Sequence, residues 1–166
     1  MDKVAFGTNS VARQVRPVSV KLLVVFEILF GFLGLMSAYT LLTEPSGIGM
    51  GLSTDLLKYA PVGDFALVGM FFLAFYFILP MIAAYGLLAR PRWKWTDAIN
   101  RWTGQNWAWT ATVALGTIML LWIVIELVFV GPLGGIGGAL QIIISVLGIG
   151  VLIGTFRPSV REYLKA

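Results

Sequence analysis

The chain has 166 residues and a formal net charge of +4, and 58% of its residues are hydrophobic while only 12% are charged. A soluble domain carries about 25% charged residues, so the composition predicts a single integral membrane domain over residues 1–166. The chain contains no cysteine and no histidine. This excludes disulfides, zinc and haem sites built from those ligands, and the usual catalytic nucleophile and base, so we expect no metal, no cofactor and no enzymatic activity.

Four apolar segments follow a polar, basic N-terminal segment, residues 1–17. Each is about 20 residues or longer, which is the length that an α-helix needs to cross the hydrocarbon core of a bilayer. They cover residues 18–42, 64–88, 107–130 and 136–156. The pattern predicts an all-α bundle of four transmembrane helices. Asp64 is expected to cap the second helix, and Pro80 is expected to kink it.

Positive charge is distributed unevenly between the loops. Of the twelve basic residues, only Lys58 lies in the first loop, and the third loop, residues 132–135, has none. The rest lie in the N-terminal segment, at Lys21 in the first turns of the first helix, in the second loop and in the tail. Short basic loops stay in the cytoplasm. We therefore expect a multi-pass protein of the cell membrane with both termini cytoplasmic. The positive charge is expected to set this topology rather than to bind nucleic acid.

Two loops are expected to hold short helices at the membrane surface. Residues 55–60 of the first loop follow a capping Ser53 or Thr54. In the second loop, apolar residues recur at helical spacing up to Gly104, which predicts a helix in the inner interface. The tryptophans of this region are expected to anchor the protein in the interface, and an alternative is a basic and aromatic platform for anionic lipid heads. These tryptophans are Trp93, Trp95, Trp102, Trp107 and Trp109.

Two acidic residues lie within apolar segments, where an ionisable side chain is costly and faces other helices or a wet cavity. Glu27 lies about 13 Å along the first helix, at the expected level of Tyr76 and Thr117. These three residues are the candidates for a ligand or proton site. The alternative is that Glu27 is a neutral acid that ties helices together by a hydrogen bond.

Glu126 lies about 7 Å from the outer end of the third helix, so the two acids are not expected to form a catalytic pair. Glu126 and Gln141 are nearly equidistant from the turn between the third and fourth helices. They should therefore meet at one depth, and we predict a hydrogen bond between them that acts as a structural polar tie.

Small residues define the faces that should pack inside the bundle, because they allow helices to approach closely. On the first helix this face includes Gly31, Gly34 and Ala38, and it carries Glu27. On the fourth helix one face holds the only polar, small-residue stripe. Its members are Gly138, Gln141, Ser145, Gly148 and Thr155.

Four stretches of the chain resemble small prokaryotic four-helix membrane proteins that are DoxX-like in size and layout. They are EILFGFLGL, the Pro-Ser-Gly loop, LLWIVIELVFVG and the tail RPSVREYL. The resemblance implies an accessory role near a quinone-using redox complex, and it transfers no site residue.

Three interpretations of function follow from the sequence. The first is a non-enzymatic accessory or structural subunit, which packs against membrane lipids, other membrane subunits or further copies of itself. The second is a protein that binds or transports a lipid or small molecule, with Glu27 as its protonatable site. The third is the redox-associated subunit that the resemblance implies.

Overall fold

The computed structural model describes residues 15–91 and 93–166, except for the side chain of Ile136. Most of the basic N-terminal segment and Arg92 therefore lie outside the described residues. Within them, four helices are long and apolar enough to cross a membrane. They are α1 (Val18–Thr43), α2 (Ala66–Ala89), α4 (Trp107–Phe129) and α5 (Gly135–Thr155). Their bounds agree with the four predicted segments within about two residues, which confirms the all-helical bundle.

The four helices run alternately up and down. α1 packs along the whole of α2, α2 packs against α4, and α4 packs closely against α5, whereas α1 and α5 meet over a shorter stretch. We call the end of the bundle that holds Val15, the second loop and Ala166 the terminal end. The opposite end, which holds the first and third loops, is called the hairpin end.

Helix α2 changes its winding around Pro80. It is α-helical over Ala66–Phe71 and Leu79–Ala89, but residues Phe72–Ile78 form a π-helix. Pro80 has no N–H with which to bond the Tyr76 carbonyl one turn earlier, and the wider π turn absorbs this defect. The sequence predicted a kink at Pro80, and the structure shows a π-helical segment just before it. The Asp64 side chain accepts a hydrogen bond from the Ala66 N–H at 2.9 Å, as predicted for its capping role.

The first loop is compact but not α-helical. It contains two short 3₁₀ helices, Ile48–Met50 and Thr54–Leu57. Ser53 caps the second of these through the Asp55 N–H, as predicted, but the expected six-residue helix is shorter. The chain turns early because Leu57 is buried against Leu41 and Phe65 at the hairpin end.

The terminal end is closed by the second loop and by the tail. Helix α3 (Asp97–Thr103) ends at Gly104, as predicted, and helix α6 (Pro158–Tyr163) folds back under the bundle. Val160, Tyr163 and Leu164 of the tail are buried in the same cluster as Val20 and Leu87. The sequence interpretation missed this docked tail. Its signal was the apolar spacing i, i+3, i+4 at residues 160, 163 and 164, which is typical of one helix face.

Candidate functional site

The buried acid Glu27 lies on the small-residue face of α1. Its side chain is 0% exposed, and Gly31, Gly34 and Ala38 on the same face are also buried. A Cβ atom on Gly34 would overlap the Tyr76 carbonyl oxygen, so α1 and α2 approach too closely there for any side chain. The predicted inward face of α1 is thus confirmed.

Glu27 is bound by Thr112 of α4, which lies across the bundle. The Thr112 hydroxyl is 2.8 Å from Glu27 Oε1 and 3.0 Å from the Ala108 carbonyl oxygen. The Thr112 hydroxyl donates its one hydrogen to both oxygens in a three-centre arrangement. Glu27 Oε2 is buried with no partner among the described residues.

Thr117 was the predicted neighbour of Glu27, and this prediction is wrong. The Thr117 side chain is exposed, and its hydroxyl donates to the Val113 carbonyl of its own helix at 2.9 Å. The depth estimate failed because α4 begins deeper than α1. Trp107 at the start of α4 is already buried under the second loop, whereas Val18 at the start of α1 is exposed. The level of Glu27 therefore matches Thr112, five residues earlier.

Tyr76 is buried, but it belongs to an aromatic cluster and not to a polar pocket around Glu27. Its ring is 4.9 Å from the Phe30 ring and 4.9 Å from the Phe72 ring, which lies parallel to it. Phe71 and Trp122 extend the cluster toward α4, with their rings 4.5 Å apart. The Tyr76 hydroxyl has no hydrogen-bond partner among the described residues. No hydrogen bond joins Tyr76 to Glu27 within the described part of the chain.

The predicted contact between Glu126 and Gln141 is present. Gln141 Nε2 donates to Glu126 Oε1 at 3.2 Å and to the Gly131 carbonyl at 3.2 Å. Gln141 Oε1 accepts a hydrogen bond from the Leu133 N–H at 3.0 Å. The amide therefore joins α4, the third loop and α5. The inward stripe of α5 is confirmed at Gln141, Gly148 and Thr155, which are buried, whereas Gly138 and Ser145 are half-buried and line a groove.

A groove of about 400 Å³ lies between α4 and α5 near this polar tie. We call it the α4–α5 groove. Its walls are apolar, and they include Ile123, Leu127, Ile142 and Val146. Gln141 and Ser145 supply the polar atoms of its floor. Glu27 does not line this groove, so the buried acid and the groove are separate features.

The five tryptophans near the second loop fall into two groups. Trp95 and Trp102 are 69% and 85% exposed, which fits their predicted place at an interface. Trp107 is only 4% exposed, so it cannot anchor the protein by contact with lipid, and that prediction is wrong. The reason is that Trp107 lies under the second loop, where its indole N–H donates a hydrogen bond to the Pro91 carbonyl at 3.0 Å.

The other two tryptophans are half-buried and join neighbouring elements. The Trp93 ring stacks on the Trp107 ring at 4.9 Å. The Trp109 indole N–H donates to the Thr155 carbonyl at 3.0 Å and so connects α4 to the end of α5. Both serve packing at the terminal end in addition to any contact with the interface.

No protein-family model, curated protein or solved structure matches this chain. Among residues 15–91 and 93–166, no three acidic side chains cluster in a way that could hold a metal ion. The chemistry of the described site is therefore that of one buried carboxyl group, its threonine partner and a separate amide–carboxyl tie.

Proposed function

We propose that the chain is a multi-pass protein of the cell membrane with both termini in the cytoplasm. Four helices of sufficient length and hydropathy support the first part of this proposal. The charge distribution supports the second, because among the described residues Lys58 is the one basic residue of the hairpin end, whereas the tail alone carries Arg157, Arg161 and Lys165.

Within that membrane, we propose a non-enzymatic accessory or structural subunit that packs against another membrane chain. The α4–α5 groove carries this proposal, because it combines apolar walls with the Ser145 hydroxyl. Helix association in lipid depends on close packing and on hydrogen bonds between helices. The apolar walls offer the packing, and the Ser145 hydroxyl, which donates to the Gln141 carbonyl at 2.7 Å, can still accept a hydrogen bond from a partner. Helix α5, which forms one side of the groove, is also the least buried of the four long helices. In its most apolar stretch 17% of the residues are buried, against 39% in α1.

Cross-linking from single cysteines tests this proposal cleanly, because the chain has no cysteine of its own. Val146→Cys in the groove and Leu29→Cys on the outer face of α1 form a matched pair, since both native side chains are 61% exposed. A photoactivatable reagent on each cysteine is activated in intact membranes at native expression, and the products are identified by mass spectrometry. We expect one defined partner chain from position 146 and none from position 29.

Equal labelling of lipid alone from both positions would contradict the accessory role. A product of twice the chain's own mass would identify a homo-oligomer and support the same packing surface. The DoxX-like resemblance extends the proposal to a subunit near a quinone-using redox complex, and recovery of a partner from such a complex would support that extension.

The second candidate function is binding or transport of a lipid or small molecule at Glu27. The buried, unpartnered Oε2 of Glu27 favours it, because a ligand or water could supply the missing hydrogen bond. Glu27 has no exposed surface in this structure, so the function requires the bundle to open. Glu27→Gln preserves size and hydrogen bonding but removes the titrating proton. Unchanged pH-dependent uptake or binding in this variant would eliminate this candidate.

A further inference from the structure

A polar cleft of about 730 Å³ opens at the terminal end, between the end of α2, helix α3 and the tail. Its lining contains three basic side chains, Arg90, Arg101 and Lys165, and one acidic side chain, Asp97. We propose that this cleft binds the phosphate group of a ligand, either an anionic phospholipid head or a soluble phosphate ester. For the lipid form, the inference rests on the membrane location proposed above.

The cleft is held in shape by contacts that need no ligand. Arg90 donates a hydrogen bond to the Tyr163 carbonyl at 2.9 Å, and its guanidinium lies 4.3 Å above the Tyr163 ring. The Asn106 N–H donates to the Leu164 carbonyl at 2.6 Å, which fixes the tail beside the start of α4. Since three separate elements are joined in this way, the positive wall at Arg90 is preorganised, and binding costs less ordering of the protein.

Arg101 and Lys165 supply charge that no contact among the described residues uses. No hydrogen bond or ion pair joins either side chain to another described residue. They come from α3 and from the tail, so they approach the cleft from different elements. An arginine fork and a lysine ammonium are the groups that proteins use to bind phosphate oxygens. Positive charges that share one cleft repel each other, and a bound anion relieves this repulsion. The phosphate of the proposed ligand is such an anion.

Asp97 narrows the chemistry of the ligand. Three basic side chains and one acidic side chain give the side chains of the lining a net charge of +2. A phosphate oxygen would lie toward Arg101 and Lys165, whereas a hydroxyl on the same ligand could donate to the Asp97 carboxylate. Because the lining side chains have a net positive charge, the cleft favours a phosphate head of net negative charge, such as a glycerol phosphate head, over a zwitterionic choline head.

The neighbouring tryptophans place the cleft at the level of lipid head groups. Trp102, next in the chain to Arg101, is 85% exposed, and Trp95, just before helix α3, is 69% exposed. Exposed tryptophan in a helical membrane protein collects at the membrane–water interface. Basic pockets at the cytoplasmic ends of transmembrane helices bind anionic heads for the same electrostatic reason.

The test uses the full chain in nanodiscs that contain equal amounts of phosphatidylglycerol and phosphatidylcholine, with retained lipids counted by native mass spectrometry. Each basic residue near the membrane surface contributes about 1 kcal/mol, or roughly fivefold in affinity. We expect the Arg101→Gln/Lys165→Gln protein to lose its preference for phosphatidylglycerol by roughly 25-fold. Arg101→Lys/Lys165→Arg should keep it, because both charges remain. Lys94→Gln is the matched control, since Lys94 is exposed in the same loop but does not line the cleft.

The second arm uses the same proteins in phosphatidylcholine nanodiscs with soluble glycerol phosphate as the probe. Binding of this probe that depends on Arg101 and Lys165, without a lipid preference, assigns the site to a soluble phosphate ester. Lipid preference without probe binding assigns it to a lipid head. The proposal is overturned if neither ligand depends on these two residues, or if Lys94→Gln weakens binding as much as the double change does.

Discussion

Glu27 and Thr112 lie 85 residues apart in the chain, and their side chains meet at 2.8 Å between the first and third long helices. α1 and α4 lie diagonally across the bundle, because α1 packs mainly on α2 and α4 packs mainly on α2 and α5. The hydrogen bond is therefore the polar contact that joins two helices otherwise connected by apolar side chains such as Phe30 and Leu115.

Thr112→Val should destabilise the bundle, because it keeps the side-chain shape but leaves both oxygens of the buried Glu27 without a protein partner. A hydrogen bond between membrane helices contributes about 0.6 kcal/mol on average, but a buried polar group left unsatisfied costs about 1–3 kcal/mol. We expect the larger cost, measured as a loss in unfolding free energy in detergent micelles.

Thr117→Val is the matched control for that measurement. Thr117 is on the same helix, but it is exposed and bonds only its own backbone, so its loss should change stability by less than about 0.5 kcal/mol. Equal effects of the two valine substitutions would show that the Glu27 hydrogen bond does not contribute to stability.

Gly34→Ala should destabilise the protein, because the added methyl group would overlap the Tyr76 carbonyl and force α1 away from α2. Overpacking of this kind costs about 1–3 kcal/mol. Gly150→Ala on α5 provides the opposite case, since no other atom lies within 4 Å of the added methyl among the described residues. At that position the higher helix propensity of alanine should raise the unfolding free energy of the protein by up to about 1 kcal/mol.

The measurement for this pair is the thermal midpoint of each variant in the same detergent. The expected result is a shift of opposite sign for the two glycines. A shift of the same sign and size in both would indicate that helix propensity, and not the close approach at Gly34, decides the outcome.

The sequence predicts the helices better than it predicts their contacts. Hydropathy and length locate the four long helices because every residue of a span contributes to the signal. The tie between Glu126 and Gln141 was also predictable, since a tight hairpin fixes the depth of two residues near its turn. Thr112 was not identified as the partner of Glu27, because no short turn relates α1 to α4 and the second loop covers the start of α4.

Pro80 shows within one helix that the sequence predicts a feature better than it predicts the contacts around it. A proline inside a helical segment predicts a local defect, but whether the chain bends or widens depends on its neighbours. Here Gly34 leaves room for the Tyr76 carbonyl, and the helix widens to a π turn. To predict the π turn from the sequence, one would have to know which face of α1 lies against α2.

Gln141→Leu should cost more stability than Glu126→Gln. The leucine removes all three hydrogen bonds of the amide, including those to Leu133 and Gly131 of the third loop. Glutamine at position 126 keeps a carbonyl oxygen that can accept from Gln141 Nε2. We expect a loss of about 1–3 kcal/mol for Gln141→Leu and less than about 1 kcal/mol for Glu126→Gln, by denaturant titration in micelles.

Hydrogen exchange of the third loop gives a second readout for this pair. The Leu133 amide should exchange faster in Gln141→Leu and at the native rate in Glu126→Gln, because only the first change removes its acceptor. Faster exchange in both variants would place the stabilising role on Glu126 and contradict the assignment of Gln141 as the group that holds the loop.

Labelling of single cysteines on intact cells tests the proposed orientation. Thr54→Cys lies in the exposed first loop at the hairpin end, and Ser159→Cys lies in the exposed part of the tail at the terminal end. A thiol reagent that does not cross membranes should label position 54 on intact cells and position 159 only after the cells are permeabilised. The reason is that short loops rich in lysine and arginine are retained in the cytoplasm, and among the described residues the terminal end carries every basic side chain except Lys58. The reverse pattern would place the termini outside, and it would also move the basic cleft away from the anionic cytoplasmic leaflet that favours its proposed ligand.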